Sequence, residues 1–203
     1  PPAPDRSEDR VGELRRHASR DGRAVLVGVQ GSRLVVLVSG PVPPTGPADL
    51  GRLVEGFGPG PVVVGPLVVG LASAHASARE AFAGLRAAPG RPDAPRPVAA
   101  DELLPERALT GDPLAHRALV DTVVAPLRAA GGELLATLTA YLDGGGVLEA
   151  CARTLFVHPN TVRYRLRRVG EVTGRVPTDP RDAQVLRTAL VAARLDPYNE
   201  EAV

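Results

Sequence analysis

The sequence predicts an α+β chain: a small α/β sandwich followed by an all-helical unit. Three observations predict it. Two β-branched runs, AVLVGVQ and RLVVLVS, flank Gly31-Ser32 in the first half. Beyond Asp101 the apolar residues recur at helical spacing. In that second half Asp112-Pro113 and Asp179-Pro180 each set a capping carboxylate before a first-turn proline. A chain of 203 residues holds one large domain or two small ones, each able to bury a core.

The elements follow in order. Pro1 to Pro4 is a loose start, and Ser7 to Arg20 is expected to be a charged helix with few apolar positions, Val11, Leu14 and Ala18. With so few apolar positions, that helix is expected to pack on a segment absent from this chain; methionine, the initiator included, is missing altogether, and a segment ahead of Pro1 is expected to be absent. The hairpin around Gln30-Gly31-Ser32 comes next, then the loop PVPPTGPAD. ADLGRLVEGF is a short helix with Leu50, Leu53 and Val54 on one side. PGPVVVGPLVVGLA is strand-like and interrupted at Gly65-Pro66. SAHASAREAFAGLRAA is a helix with Ala78, Phe82 and Leu85 at helical spacing, and a last strand lies near Val98. Six helical stretches follow, from ELLPERAL to DPRDAQVLRTALVAARL. The expected organisation is a helical linker over 1–20, an α/β domain over 21–112 and a helical domain over 113–203.

Composition narrows the function classes. Net charge is +1, so any anion-binding surface must concentrate its positive charge locally. Every basic residue is arginine, which in a chain so rich in Ala, Gly, Pro and Val reads as the codon bias of a GC-rich bacterial genome. One cysteine, Cys151, allows no internal disulfide and reads as a small core residue; a reducing cytoplasm is expected. No Cys/His spacing suggests zinc, and no metal or cofactor is expected. The apolar runs are too short and too broken for a membrane span. His17, His75 and His116 are scattered and read as surface or capping residues. The glycines of VEGFGPGPVVVG precede a strand and do not form a dinucleotide loop.

Charge does concentrate in one place. Between Arg163 and Arg168 stand four arginines and no acid. They lie on a helix, Pro159 to Val172, that follows a short helix, Val147 to Phe156, after a tight turn. That is a helix-turn-helix pattern. Leu148, Ala152 and Leu155 line one inner face, and Val162, Leu166 and Val169 the other; Ala152 lets the helices approach. Pro159 fits the first helical position, with His158 as N-cap. At about 100° per residue, Asn160, Tyr164, Arg167 and Glu171 point away from the core, and Thr161, Arg163 and Arg168 flank them. Arg165 falls about 60° from the core direction and is expected to be structural or to reach sideways to a phosphate. An arginine-rich helix face is often only solvated. Here amide, phenol and guanidinium share one outer face that suits base edges and phosphates.

HPNTVRYRLRRVGEVTG, followed by DPRDAQVLRTAL, resembles the C-terminal helix-turn-helix of PucR-type (CdaR-like) transcriptional regulators. Their hallmark, close to H-x-N-T-V-x-Y-R-L, is complete from His158 to Leu166. Phe156 stands in the turn where many helix-turn-helix families have glycine. The resemblance implies that the first half is a degenerate GGDEF-like domain, a ferredoxin-like α/β sandwich. A diguanylate cyclase of that fold carries an acidic pair at its hairpin turn. Gln30-Gly31-Ser32 has none, so a non-catalytic domain for dimer contacts or signal transmission is expected. Gly131-Gly132-Glu133-Leu134 imitates the signature at a helix start and is followed by no second acid. LLPERALTGDP resembles actinobacterial FasR-like regulators, which implies control of fatty-acid-synthesis genes.

These readings converge on a cytoplasmic, sequence-specific DNA-binding regulator and not an enzyme. Asn160, Arg163, Tyr164 and Arg167 are expected at bases or the groove wall. Thr161, Arg168 and the helix N-terminus, with His158, are expected at phosphates. One such unit buries little area, so a homodimer on two half-sites of promoter DNA is expected. RNA polymerase is a further partner if the protein activates; the effector is unspecified. The alternatives are a nucleotide-binding or cyclase enzyme in the first half, and a protein-interaction module whose arginine face meets an acidic partner.

Overall fold

The computed structural model describes residues 22–55 and 57–195, with Gly12 and Leu14–Arg16 ahead of them. Two compact units divide the chain, Pro1–Glu106 and Arg107–Val203. The division falls ahead of the expected 112/113 boundary. Arg107 is buried with its Nη2 2.8 Å from Asp112 Oδ2, and Asp112 in turn accepts from Leu114 N, which ties this segment to the helical unit.

In the first unit β1 (Ala24–Gln30) and β2 (Arg33–Ser39) form an antiparallel hairpin in which Gln30 faces Arg33. Gly31, at φ 60°, takes the left-handed conformation that a two-residue hairpin turn demands. Alternation then sends Val25, Val27, Leu34, Val36 and Val38 to one face. That face packs on a buried cluster of Leu14, Leu50 and Leu53. Leu50 ends a 3-10 turn, Pro47–Leu50, that runs into the short helix α1 (Gly51–Val54). Most of the expected 7–20 helix lies outside the described residues. Its Leu14 is buried within this unit's own cluster, so the expected packing on an absent segment is not where this side chain goes.

β3 (Val63–Val64) and β4 (Val98–Ala99) pair in parallel, Val63 opposite Val98. The strands come in the expected order but form two separate pairs and not one sheet. Pro61, Pro66 and Pro97 lack the N–H groups that would extend the second pair. Between them lies α2 (Ala74–Ala87). Its buried face is Ala83, Gly84 and Ala87. Ala78, Phe82 and Leu85 are only half-buried, and Arg33 covers the Phe82 ring at 5.9 Å. Gly84 explains the choice: a Cβ there would lie 2.7 Å from Val63 Cγ1, so only a small-residue face lets α2 approach β3.

The second unit is all helix. α3 (Leu104–Leu109) enters it, and α4 (Pro113–Leu119) starts on the Asp112 cap, whose Oδ1 accepts from Leu114 N at 3.0 Å. A π turn, Val120–Val124, joins α4 to α5 (Ala125–Ala129). Pro126 has no N–H and its ring would strike the Thr122 carbonyl in a regular helix; the widened turn just before it relieves that clash. α6 (Gly132–Asp143), α7 (Leu148–Thr154), α8 (Pro159–Thr173) and α9 (Pro180–Leu195) complete the unit. Asp179 caps α9 by accepting from Asp182 N at 2.9 Å. Arg187 on α9 donates to Leu142 O at 2.6 Å and satisfies an open carbonyl at the end of α6. The core is Leu138, Cys151, Val162, Val169, Leu186 and Ala189, each fully buried. Among the described residues no helix is long and apolar enough to cross a membrane.

Candidate nucleic-acid interface

α7 and α8 are joined by the turn Leu155–His158. Val157 N donates to Ala152 O at 3.0 Å and pulls the chain back across the end of α7. Phe156 takes the left-handed position in this turn, φ 54°, with its side chain 96 % exposed. The next residues turn outward into α8. His158 is extended at φ −70°, ψ 144°, and its Nδ1 accepts from Asn160 N at 3.1 Å. With Pro159 at the first position, α8 begins where the HPN spelling predicts.

One face of α8 is core: Val162, Leu166 and Val169 are buried, and Cys151 and Ala152 of α7 with them. The opposite face is open. Asn160, Arg163, Tyr164, Arg167 and Arg168 are all exposed, as is His158; Thr161 is half-buried at the edge. The exposed side chains also order one another. Arg163 Nη1 donates to Asn160 Oδ1 at 2.6 Å. Arg167 lies over the Tyr164 ring at 5.6 Å, a cation–π contact. Glu171 accepts from Arg168 Nη1 at 2.8 Å and lies 3.6 Å from Arg167 Nε. The bonded carboxylate holds the Arg168 guanidinium above its ordinary range.

Of the two roles expected for Arg165, the structural one is what its contacts show. Its Nη2 donates to Glu133 Oε2 at 2.5 Å, and only 18 % of its side chain is exposed. Glu133, the acid of the cyclase-like spelling Gly131-Gly132-Glu133-Leu134, therefore anchors α8 to the first turn of α6. Sequence reasoning left two features unassigned. Glu171 was placed on the outer face without a role, although its spacing from Arg167 and Arg168 is that of helical ion pairs. The full exposure of Phe156 has no signal in periodicity, since the residue lies between two helices. Cys151 is buried, with its Sγ 3.7 Å from Thr137 O; burial pushes the thiol up, partly offset by Arg165. His75 is exposed and its Nδ1 lies 2.9 Å from Ala72 O. Among the described residues no group of three or more His, Cys, Asp or Glu is placed to hold a metal.

Fold and site together define a helix-turn-helix protein preceded by a GGDEF-like unit. Residues 134–192 match the PucR C-terminal helix-turn-helix domain, and residues 2–87 the GGDEF-like domain. The chain belongs to the PucR-type family of transcriptional regulators. It resembles the crystal structure of the regulator of polyketide synthase expression from Bifidobacterium adolescentis. The TM-score is 0.80 at 40% identity, over 92% of this chain and 75% of that one. It is 53% identical over 190 residues to uncharacterized protein Rv2242 of Mycobacterium tuberculosis (strain ATCC 25618 / H37Rv), covering 94% of this chain. The chain spans 46% of that relative's length. The purine catabolism regulatory protein of Bacillus subtilis (strain 168) is 42% identical over 62 residues, 30% of this chain and 12% of its own.

Proposed function

We propose that the chain binds promoter DNA in a sequence-specific manner by laying α8 in the major groove. One observation carries the reading. The same helix that buries Val162, Leu166 and Val169 turns Asn160, Arg163, Tyr164, Arg167 and Arg168 outward behind a capped N-terminus. Asn160, Arg163, Tyr164 and Arg167 meet base edges and the groove wall. His158, Thr161, Arg168 and the N-terminal amides hold phosphates. Two copies reading two half-sites supply the affinity that one unit lacks. The GGDEF-like unit supports dimer contacts or transmits a signal and performs no catalysis, since its hairpin turn, Gln30-Gly31-Ser32, offers no acidic pair. The division between the two units separates these roles. The setting is the cytoplasm, the partners are promoter DNA and, for an activator, RNA polymerase. Fatty-acid-synthesis genes are the target suggested by LLPERALTGDP.

Fluorescence anisotropy tests this with a duplex selected from a random pool, a scrambled duplex and a salt series. A preference of orders of magnitude for the selected duplex, erased by Arg167→Ala, supports the reading. Equal, weak binding that vanishes with modest salt is the phosphate contribution alone and overturns it.

A further inference from the structure

We infer that Glu171 is a specificity-determining residue: its carboxylate holds Arg167 and Arg168 in place of DNA phosphate and so suppresses binding to duplexes that lack the cognate sequence. The inference rests on the reading of α8 as the groove-facing helix. By its angle Glu171 stands near the middle of the outward face, in line with Asn160 and Tyr164. Its two oxygens serve two arginines, with Oε2 at 2.8 Å from Arg168 Nη1 and Oε1 at 3.6 Å from Arg167 Nε. Arg167 is thereby held between Glu171 and the Tyr164 ring. Arg165 is already engaged by Glu133. Arg163, the remaining arginine of 163–168, donates instead to the neutral Asn160 amide.

The consequence for binding is asymmetric. Contact with random DNA is driven by arginines replacing counterions on phosphates, with a salt slope of about 0.9 per phosphate. For Arg167 or Arg168 to make such a contact, it must leave Glu171, and the freed carboxylate then faces the same phosphates. A cognate base edge offers paired acceptors in fixed geometry, which compensate Arg167 for the exchange. Random sequence offers no such compensation. Glu171 therefore weakens random binding more than cognate binding, and the ratio between them rises.

Glu171→Gln keeps the shape and removes the charge. Its melting curve first confirms a folded protein. Anisotropy against a selected and a scrambled duplex across a salt series then reads the effect. The scrambled duplex is expected to bind about threefold to tenfold more tightly than with wild type, with a salt slope steeper by about one. The cognate-to-scrambled ratio falls accordingly. In an Arg167→Ala, Arg168→Ala background the same substitution is expected to give a clearly smaller gain, that of the lifted carboxylate–phosphate repulsion alone. Unchanged scrambled binding overturns the inference, as does a gain of the same size in that background. Loss of preference at a single base pair, with scrambled binding unchanged, also overturns it and makes Glu171 a base reader instead. Wild type that prefers no duplex overturns the reading of α8 and this inference with it. That failure shows in the wild-type titration alone, so the two are distinguishable.

Discussion

Arg165 leaves the flank of α8 and closes on Glu133 at the first turn of α6, Nη2 to Oε2 at 2.5 Å, with Nη1 3.5 Å from Thr137 Oγ1. A residue inside the arginine run is thus spent on holding the helix and not on reading through it. Arg165→Ala is expected to lower stability by about 1 kcal/mol, because the pair is partly solvated and its stem loses packing. Urea denaturation measures this. The preference for a selected duplex over a scrambled one is expected to survive, in contrast to Arg167→Ala.

Arg167→Ala and Arg168→Ala are expected to fail in different ways. Loss of a base contact costs about 1–3 kcal/mol of discrimination at one position of the site. Loss of a phosphate contact weakens all duplexes alike and lowers the salt slope by about one. Anisotropy on a set of single-base-pair variants of the selected duplex separates the two. Equal effects on all duplexes from both substitutions would contradict the assigned roles.

The buried pair Arg107–Asp112 predicts a large asymmetric effect. Asp112 also caps α4, so its carboxylate serves a guanidinium and a backbone N–H together. Removing either partner alone leaves a buried charge, and Arg107→Ala is expected to cost about 3–5 kcal/mol. Asp112→Asn keeps the cap and is expected to cost less than Asp112→Ala. Chemical denaturation of the three variants checks the order.

Phe156 takes a backbone conformation that suits glycine, and its ring packs on nothing that burial would reward. Phe156→Gly is expected to stabilise the protein by about 1 kcal/mol, through relief of the left-handed strain. Thermal unfolding reads this directly. A loss of stability would mean that the ring makes contacts its exposure does not reveal.

Burial holds the Cys151 thiol up, so in the folded protein it keeps its proton after the unfolded chain has lost it. Above the ordinary thiol range the unfolded state then binds fewer protons, and stability falls as pH rises. Cys151→Ala is expected to remove that part of the alkaline slope. Iodoacetamide at neutral pH is expected to label the thiol only after denaturation, which mass spectrometry detects.

The helix-turn-helix was legible because its signals are local. Pro159 starts the helix, His158 caps it, and the spacing of Val162, Leu166 and Val169 fixes which side is core. Once the core direction is known, the outward residues follow by angle, and Arg165 follows as the exception. The first unit was less legible. Its elements came in the right order, but strand pairing depends on contacts far apart in sequence. Nothing local says that Val63 meets Val98 and not the hairpin. The buried face of α2 was not legible for a related reason. Hydrophobicity favours Phe82 and Leu85, whereas the closeness of Val63 demands Ala83 and Gly84. Glu133 was judged by its resemblance to another motif, and its partner lies 32 residues away.

The π turn at Val120–Val124 makes the length of its helix matter as much as its composition. One residue more than a regular turn holds sets the phase of everything after it, about 100° per residue. Leu119 lies before the turn and Leu127 after it, and both are fully buried. A one-residue deletion here would leave every side chain chemically acceptable yet swing Leu127 away from the interior. Insertions and deletions in this helix are therefore worse tolerated than substitutions, and Pro126 marks the place where the tally is kept.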